Sequence, residues 1–183
     1  NGVKTGGRHE RTEKREDRPA APEIPYSLET AESLPAARFL NGLIEKMGVE
    51  GNVLAFQQER EIRLRIDSKT MGILIGHRGE TLDALQYLTS LFVNRSRKDD
   101  GYVRVTLDTE NYRSKREQTL QRLARKLASQ VKASGKPKAL EPMNPYERRV
   151  LHAALQSNPY VTTYSEGAEP NRRVIIAPRQ KNG

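Results

Sequence analysis

A glycine-flanked basic dipeptide, Gly76-His77-Arg78-Gly79, separates two apolar patterns that both read as helix. Ahead of it, "KTMGILI" is long enough for about two helical turns. Behind it, Leu82, Leu85, Leu88 and Phe92 mark one face of a longer helix. Glycine at both ends permits positive φ and leaves no Cβ to hold another group away. Two readings stand at this point: an ordinary turn between helices, or backbone bared for a ligand. On the second, the amides opening the next helix favour an anion. Arg78 then adds a charge-assisted donor, and His77 a donor only partly charged near neutral pH.

The elements around the tetrad narrow the architecture. Phe39, Leu40, Leu43, Ile44 and Met47 recur at helical spacing, and Gly48 is placed to stop that helix. "NVLAFQQ" and "EIRLRID" follow as strands; in the second, Ile62, Leu64 and Ile66 alternate with Arg63, Arg65 and Asp67. "GYVRVTLD" closes the unit as a strand with Val103, Val105 and Leu107 pointing inward. The order predicts a small α+β domain over residues 34–110, a three-stranded sheet packed by helices. Residues 1–33 mix charges of both signs with Gly and Pro, and read as a disordered arm or linker holding a solvated His9. The chain starts at Asn1 rather than Met, as a processed protein or a fragment would.

A long helix is predicted over 111–135. Leu120, Leu123, Ala124, Leu127, Ala128 and Val131 form its apolar stripe, and Lys115, Arg122, Arg125 and Lys126 lie opposite. The formal net charge is +9, and residues 111–140 alone hold nine Lys and Arg against one Glu. A basic stripe beside a neutral domain reads as a polyanion footprint, with a merely solvated helix face as the alternative. Within it, Arg113, Lys115 and Arg116 of "NYRSKR", with Arg122, Arg125 and Lys126, are candidate phosphate contacts.

Residues 136–183 carry one clear helix signal, "NPYERRVLHAAL", with Asn144 as N-cap, Pro145 at the first position and Glu147 completing a capping box. Arg148 and His152 are four apart, so they share one helix face and can grip one phosphate together. Arg149 lies beside them, and Arg172 and Arg173 adjoin the last of two predicted strands, "YVTTYSE" and "RRVIIAP".

Other chemistries find little support. The chain has no Cys, which excludes disulfides, thiolate zinc sites and a cysteine nucleophile. The tetrad lacks the Gly-Lys-Ser/Thr end of a nucleotide P-loop, and three scattered histidines make no metal set. Asp67, Asp83 and Asp108 come from different elements, and nothing pairs them for acid–base work. No apolar run approaches the roughly 18 residues of a membrane span. The expectation is a noncatalytic cytoplasmic protein without cofactor, metal or membrane insertion.

"ILIGHRGETLDALQYL" resembles the Ile-Gly-x-x-Gly core of a KH domain, and the element order matches the type II layout. "NPYERRVLHAAL" followed by "SEGAEPNRRVIIAP" resembles an R-three-H domain, named for its Arg-x-x-x-His signature. The ordered pair, linked through "LDTENYRSKR", is similar to the bacterial Jag family of SpoIIIJ-associated proteins, over about Ala36 to Arg179. The resemblance implies binding of single-stranded nucleic acid, chiefly RNA, with single-stranded DNA as the alternative. Gly76, His77, Arg78 and Gly79 would clamp the backbone of about four nucleotides. Arg148 and His152 would form the R-three-H pair. It further implies a small single-KH partner or a homodimer through the KH unit, RNA chaperone activity, and control of cell elongation and envelope synthesis. His77 departs from the Lys or Arg common at that position, and only the charged arm stands where many members carry a small extra domain.

Overall fold

In the computed structural model, which describes residues 24–97 and 101–179, a helix forms where the sequence pattern suggests only a charged arm. Helix α1 spans Leu28–Ser33, with the Ser27 hydroxyl accepting from the Thr30 N–H at 3.0 Å. Ser27 also exchanges two backbone bonds with Ala55, at 2.9 and 3.0 Å, and Ala31 is buried. Residues 24–33 therefore belong to the first module; the rest of that predicted arm, with His9, lies outside the described residues.

Helix α2 spans Pro35–Lys46 and buries Ala36, Ala37, Leu40 and Ile44 on one stripe. Strands β1 (Gly51–Gln58) and β2 (Glu61–Ser68) form an antiparallel hairpin with Ala55 opposite Leu64. Strand β3, Arg104–Asp108, lies parallel to β2 on its other side, with Leu107 opposite Leu64. A parallel neighbour requires a crossover. It is supplied by α3 (Met71–Ile75), a single 3-10 turn (His77–Gly79) and α4 (Glu80–Asn94). Val53, Ile62, Leu64, Ile66, Val105 and Leu107 form the inner sheet face, packed against α2, Leu74, Leu82 and Leu85.

Three residues predicted on apolar helix faces are on the surface: Met47 (37% exposed), Leu123 (38%) and Leu88. Leu88 is 44% exposed, because at 3.6 residues per turn it sits about 120° around α4 from Leu82. Thr89 takes the inward place, its hydroxyl donating to the Leu85 carbonyl at 2.7 Å.

Helix α5, Tyr112–Ser134, belongs to both modules rather than merely connecting them. Its Tyr112 packs on the first core, whereas Leu120, Ala124, Ala128 and Val131 enter a second. That core is completed by α6 (Pro145–Leu155) and by a sheet of β4 (Lys138–Ala139), β5 (Val161–Glu166) and β6 (Arg173–Pro178), in the order β4-β6-β5. Leu151, Val161, Val174 and Ile176 are sealed inside it. The capping box predicted at α6 forms only on one side. The Asn144 side chain accepts from the Glu147 N–H at 2.9 Å, but the Glu147 carboxylate is buried and takes Arg116 instead.

The two cores predict two separate weak points. Leu64→Ala and Leu151→Ala should each cost about 2–5 kcal/mol. Chemical denaturation measures both, and wild-type midpoints in either variant would contradict the core assignment.

Candidate nucleic-acid interface

The tetrad forms a turn in which three of four residues take positive φ. Gly76 (67°) ends α3, Arg78 (56°) is the non-glycine exception, and Gly79 (87°) starts α4. The glycines do more than clear space for a ligand. A Cβ on Gly76 would run into the Thr81 side chain, and one on Gly79 would lie 2.7 Å from the Tyr112 ring. Both are required by the chain's own packing.

The two central side chains part company. His77 is 69% exposed, with Nδ1 3.6 Å from the Glu80 carboxylate. Arg78, expected to present its guanidinium to a ligand, is only 22% exposed. It donates to the Pro142 carbonyl and pairs with the Glu141 carboxylate, both between β4 and α6. His77 is thus open to solvent, whereas Arg78 is engaged by the second module.

The basic helix divides likewise. Arg113 donates to Asp83 at 2.7 Å, to the Leu107 carbonyl at 3.3 Å and to Gln86 at 3.3 Å. Arg116 donates to Glu147 at 2.7 Å, and Glu147 is 3% exposed. Arg116 is an internal tie, since a buried carboxylate needs a charged partner, whereas the Arg113–Asp83 pair is half-exposed, at 39% and 45%. Lys115 is exposed but lies 3.4 Å from Glu110. Arg122, Arg125 and Lys126 lie on the open face, Arg122 touching only the Thr119 hydroxyl at 3.2 Å.

Arg148 and His152 each take partners inside the second module. Arg148 is 7% exposed, donates to the Met143 carbonyl at 2.5 Å, and holds both Glu169 oxygens in a fork. His152 bonds through Nδ1 to Thr163 Oγ1 at 2.8 Å and through Nε2 to Ser165 Oγ at 2.9 Å. Burial, with Arg148 and Arg172 nearby, pushes its pKa below the usual imidazole value, so the neutral ring is favoured. A neutral imidazole fits two hydroxyls, each able to donate or accept. The signature pair therefore fastens α6 to the β5–β6 hairpin: Arg148 to the turn, His152 to β5. Arg149 and Arg172 are exposed, and Arg173 pairs with Glu166 at 2.8 Å.

Arg78 lines a cleft of about 510 Å³ between the modules. Its walls include His77, Arg78, Glu141, Pro142 and Glu169, with Arg148 behind Glu169. Neither Glu141 nor Glu169 is singled out by the sequence, and only the fold reveals them as partners of Arg78 and Arg148.

The lowered pKa of His152 has a consequence for stability. The unfolded chain takes up the proton first, so its contribution is complete above about pH 6.5 and declines as pH falls towards the depressed folded value. Denaturation midpoints measured from pH 7.5 downward should show this loss, and His152→Gln should remove that part of the dependence. An identical pH dependence in the two proteins would contradict it.

Comparison with known proteins agrees with this architecture. The family model described as KhpA/KhpB, KH domain, matches residues 36–107, and the R-three-H domain model matches residues 118–178. RNA-binding protein KhpB of Clostridium symbiosum is 50% identical over 149 residues, covering 80% of this chain and 66% of the relative. KhpB of Lactiplantibacillus plantarum is 38% identical over 142 residues, covering 78% and 44%. KhpB of Bacillus subtilis is 37% identical over 159 residues, covering 85% and 76%. The chain thus spans less than half of one of these relatives and about two thirds or more of the others. With a KH domain of the KhpA/KhpB type joined through a shared helix to an R-three-H domain, the chain belongs to the KhpB family.

Proposed function

We propose that this chain is a noncatalytic binder of single-stranded RNA. The observation that carries the reading is a set of open cations on the second module. Arg122, Arg125, Lys126, Arg149 and Arg172 are exposed, and among the described residues none of them has a carboxylate within 4.0 Å. Unpaired exposed cations bind a phosphate backbone by releasing its condensed counterions. Relatives bearing the name RNA-binding protein support the same assignment.

The KH tetrad takes part through His77 and the adjacent turn. Arg78 joins when a phosphate displaces Glu141, because both anions compete for one guanidinium. A role as RNA chaperone or post-transcriptional regulator, located in the cytoplasm and tied to cell elongation and envelope synthesis, follows from the family resemblance and belongs to the same proposal.

A second reading concerns partners. Tyr87, Leu88 and Leu91 on α4, with Tyr102 ahead of β3, are 44–67% exposed and form an apolar patch on the KH unit. It favours docking of a small single-KH protein or a second copy of this chain. Leu91→Asp should then abolish a concentration-dependent shift in sizing, whereas identical elution of variant and wild type at every concentration would remove this reading.

Titration with a labelled single-stranded RNA of about ten nucleotides tests the main proposal. The logarithm of affinity should fall linearly with the logarithm of salt, by roughly 0.7 per phosphate neutralised. Glu141→Gln should bind several-fold more tightly, since it releases Arg78. Salt-independent binding, or none, would overturn RNA recognition; tighter binding of the same sequence in DNA would shift the assignment to single-stranded DNA.

A further inference from the structure

Helices α5 and α6 leave a groove of about 740 Å³ between them, away from the tetrad. One wall is the row Glu117, Gln121, Arg125 on α5; the other carries Tyr146 and Arg149, three apart on α6. Val150 and Ala153 give the floor an apolar surface. Tyr146 is 50% exposed, and its ring is held in place because its hydroxyl donates to Glu117 Oε2 at 3.0 Å. The other Glu117 oxygen accepts from Gln121 at 3.2 Å, so the one carboxylate lining the groove is occupied by the groove's own donors. The two guanidiniums have no such partner among the described residues, and Arg122 and Lys126 extend the cationic rim on α5.

A fixed, half-exposed aromatic ring sharing one groove with two unpaired guanidiniums, over a shallow apolar floor, fits one ligand chemistry well. A nucleotide base offers a flat face for stacking, and the phosphates on either side of it pair with arginine. We infer that this groove is a second nucleotide site, which stacks one base of single-stranded RNA on Tyr146 while Arg149 and Arg125 hold successive phosphates along the groove. The inference rests on the proposal that the chain binds RNA, and it places the second module's contact on exposed residues rather than on Arg148 and His152.

The test uses the full chain and a labelled single-stranded oligouridine. Tyr146→Ala should weaken binding about tenfold, whereas Tyr146→Phe, which keeps the ring, should stay within about twofold. Arg125→Gln and Arg149→Gln should each flatten the salt dependence by about one phosphate's worth. Ultraviolet crosslinking of the wild-type chain to the oligouridine, mapped by mass spectrometry, should mark Tyr146 and needs no folded variant. Wild-type binding with unchanged affinity in Tyr146→Ala, or a crosslink map that omits Tyr146, would overturn the groove and leave RNA binding standing. Equal competition by polyglutamate would also overturn it, marking a groove for acidic peptides. Absence of any wild-type binding would overturn both.

Discussion

The contact of the Tyr112 ring with Gly79 sets the geometry of the whole molecule. No side chain larger than hydrogen fits at Gly79, and that space lets the first turn of α5 lie directly on the tetrad. Once seated there, α5 runs on for 23 residues and supplies the stripe from Leu120 to Val131 that builds the second core. The second module is thus oriented by the tetrad. Its segment between β4 and α6 falls over Arg78, and Glu141 and Pro142 meet the guanidinium there. The tetrad is at once a turn and a docking seat for α5.

Charge in this protein divides by pairing. Arg113, Arg116 and Arg148 each answer a structural need: a tie to Asp83, a partner for buried Glu147, a hold on the Glu169 turn. Removing Arg116 would strand a carboxylate that is 3% exposed, a loss of about 3–5 kcal/mol by the general behaviour of buried pairs. Such cations are poor ligand contacts, because a phosphate must first break the pair. The arginines of α5 and α6 on the open side carry no such obligation, and a polyanion meets them without competition.

Much of the first module is legible in the sequence because alternation and burial coincide there. Ile62, Leu64 and Ile66 are buried as their period demands, and Asn144 with Pro145 starts α6 as written. Helix α1 escapes because its six residues carry no long period, and it is held by a bridge from Ser27 to Ala55, far along the chain. Strand β4 escapes because its two residues are strand only by pairing with Ile175 and Ile176. The site is less legible than the fold. Spacing shows that Arg148 and His152 share a helix face, but not that the face points inward to Glu169, Thr163 and Ser165. Likewise, one basic helix looks uniform in sequence, and only packing separates Arg113 and Arg116 from Arg122 and Arg125.

The division between structural and ligand-facing arginines is tested most directly by side-chain NMR of the arginine Nε–H groups, recorded before and after adding single-stranded RNA. Arg116 and Arg148 should exchange slowly and keep their shifts, while Arg122, Arg125 and Arg149 should move together on titration. Movement of Arg148 with the open-face arginines unchanged would contradict the account and return the contact to the signature pair.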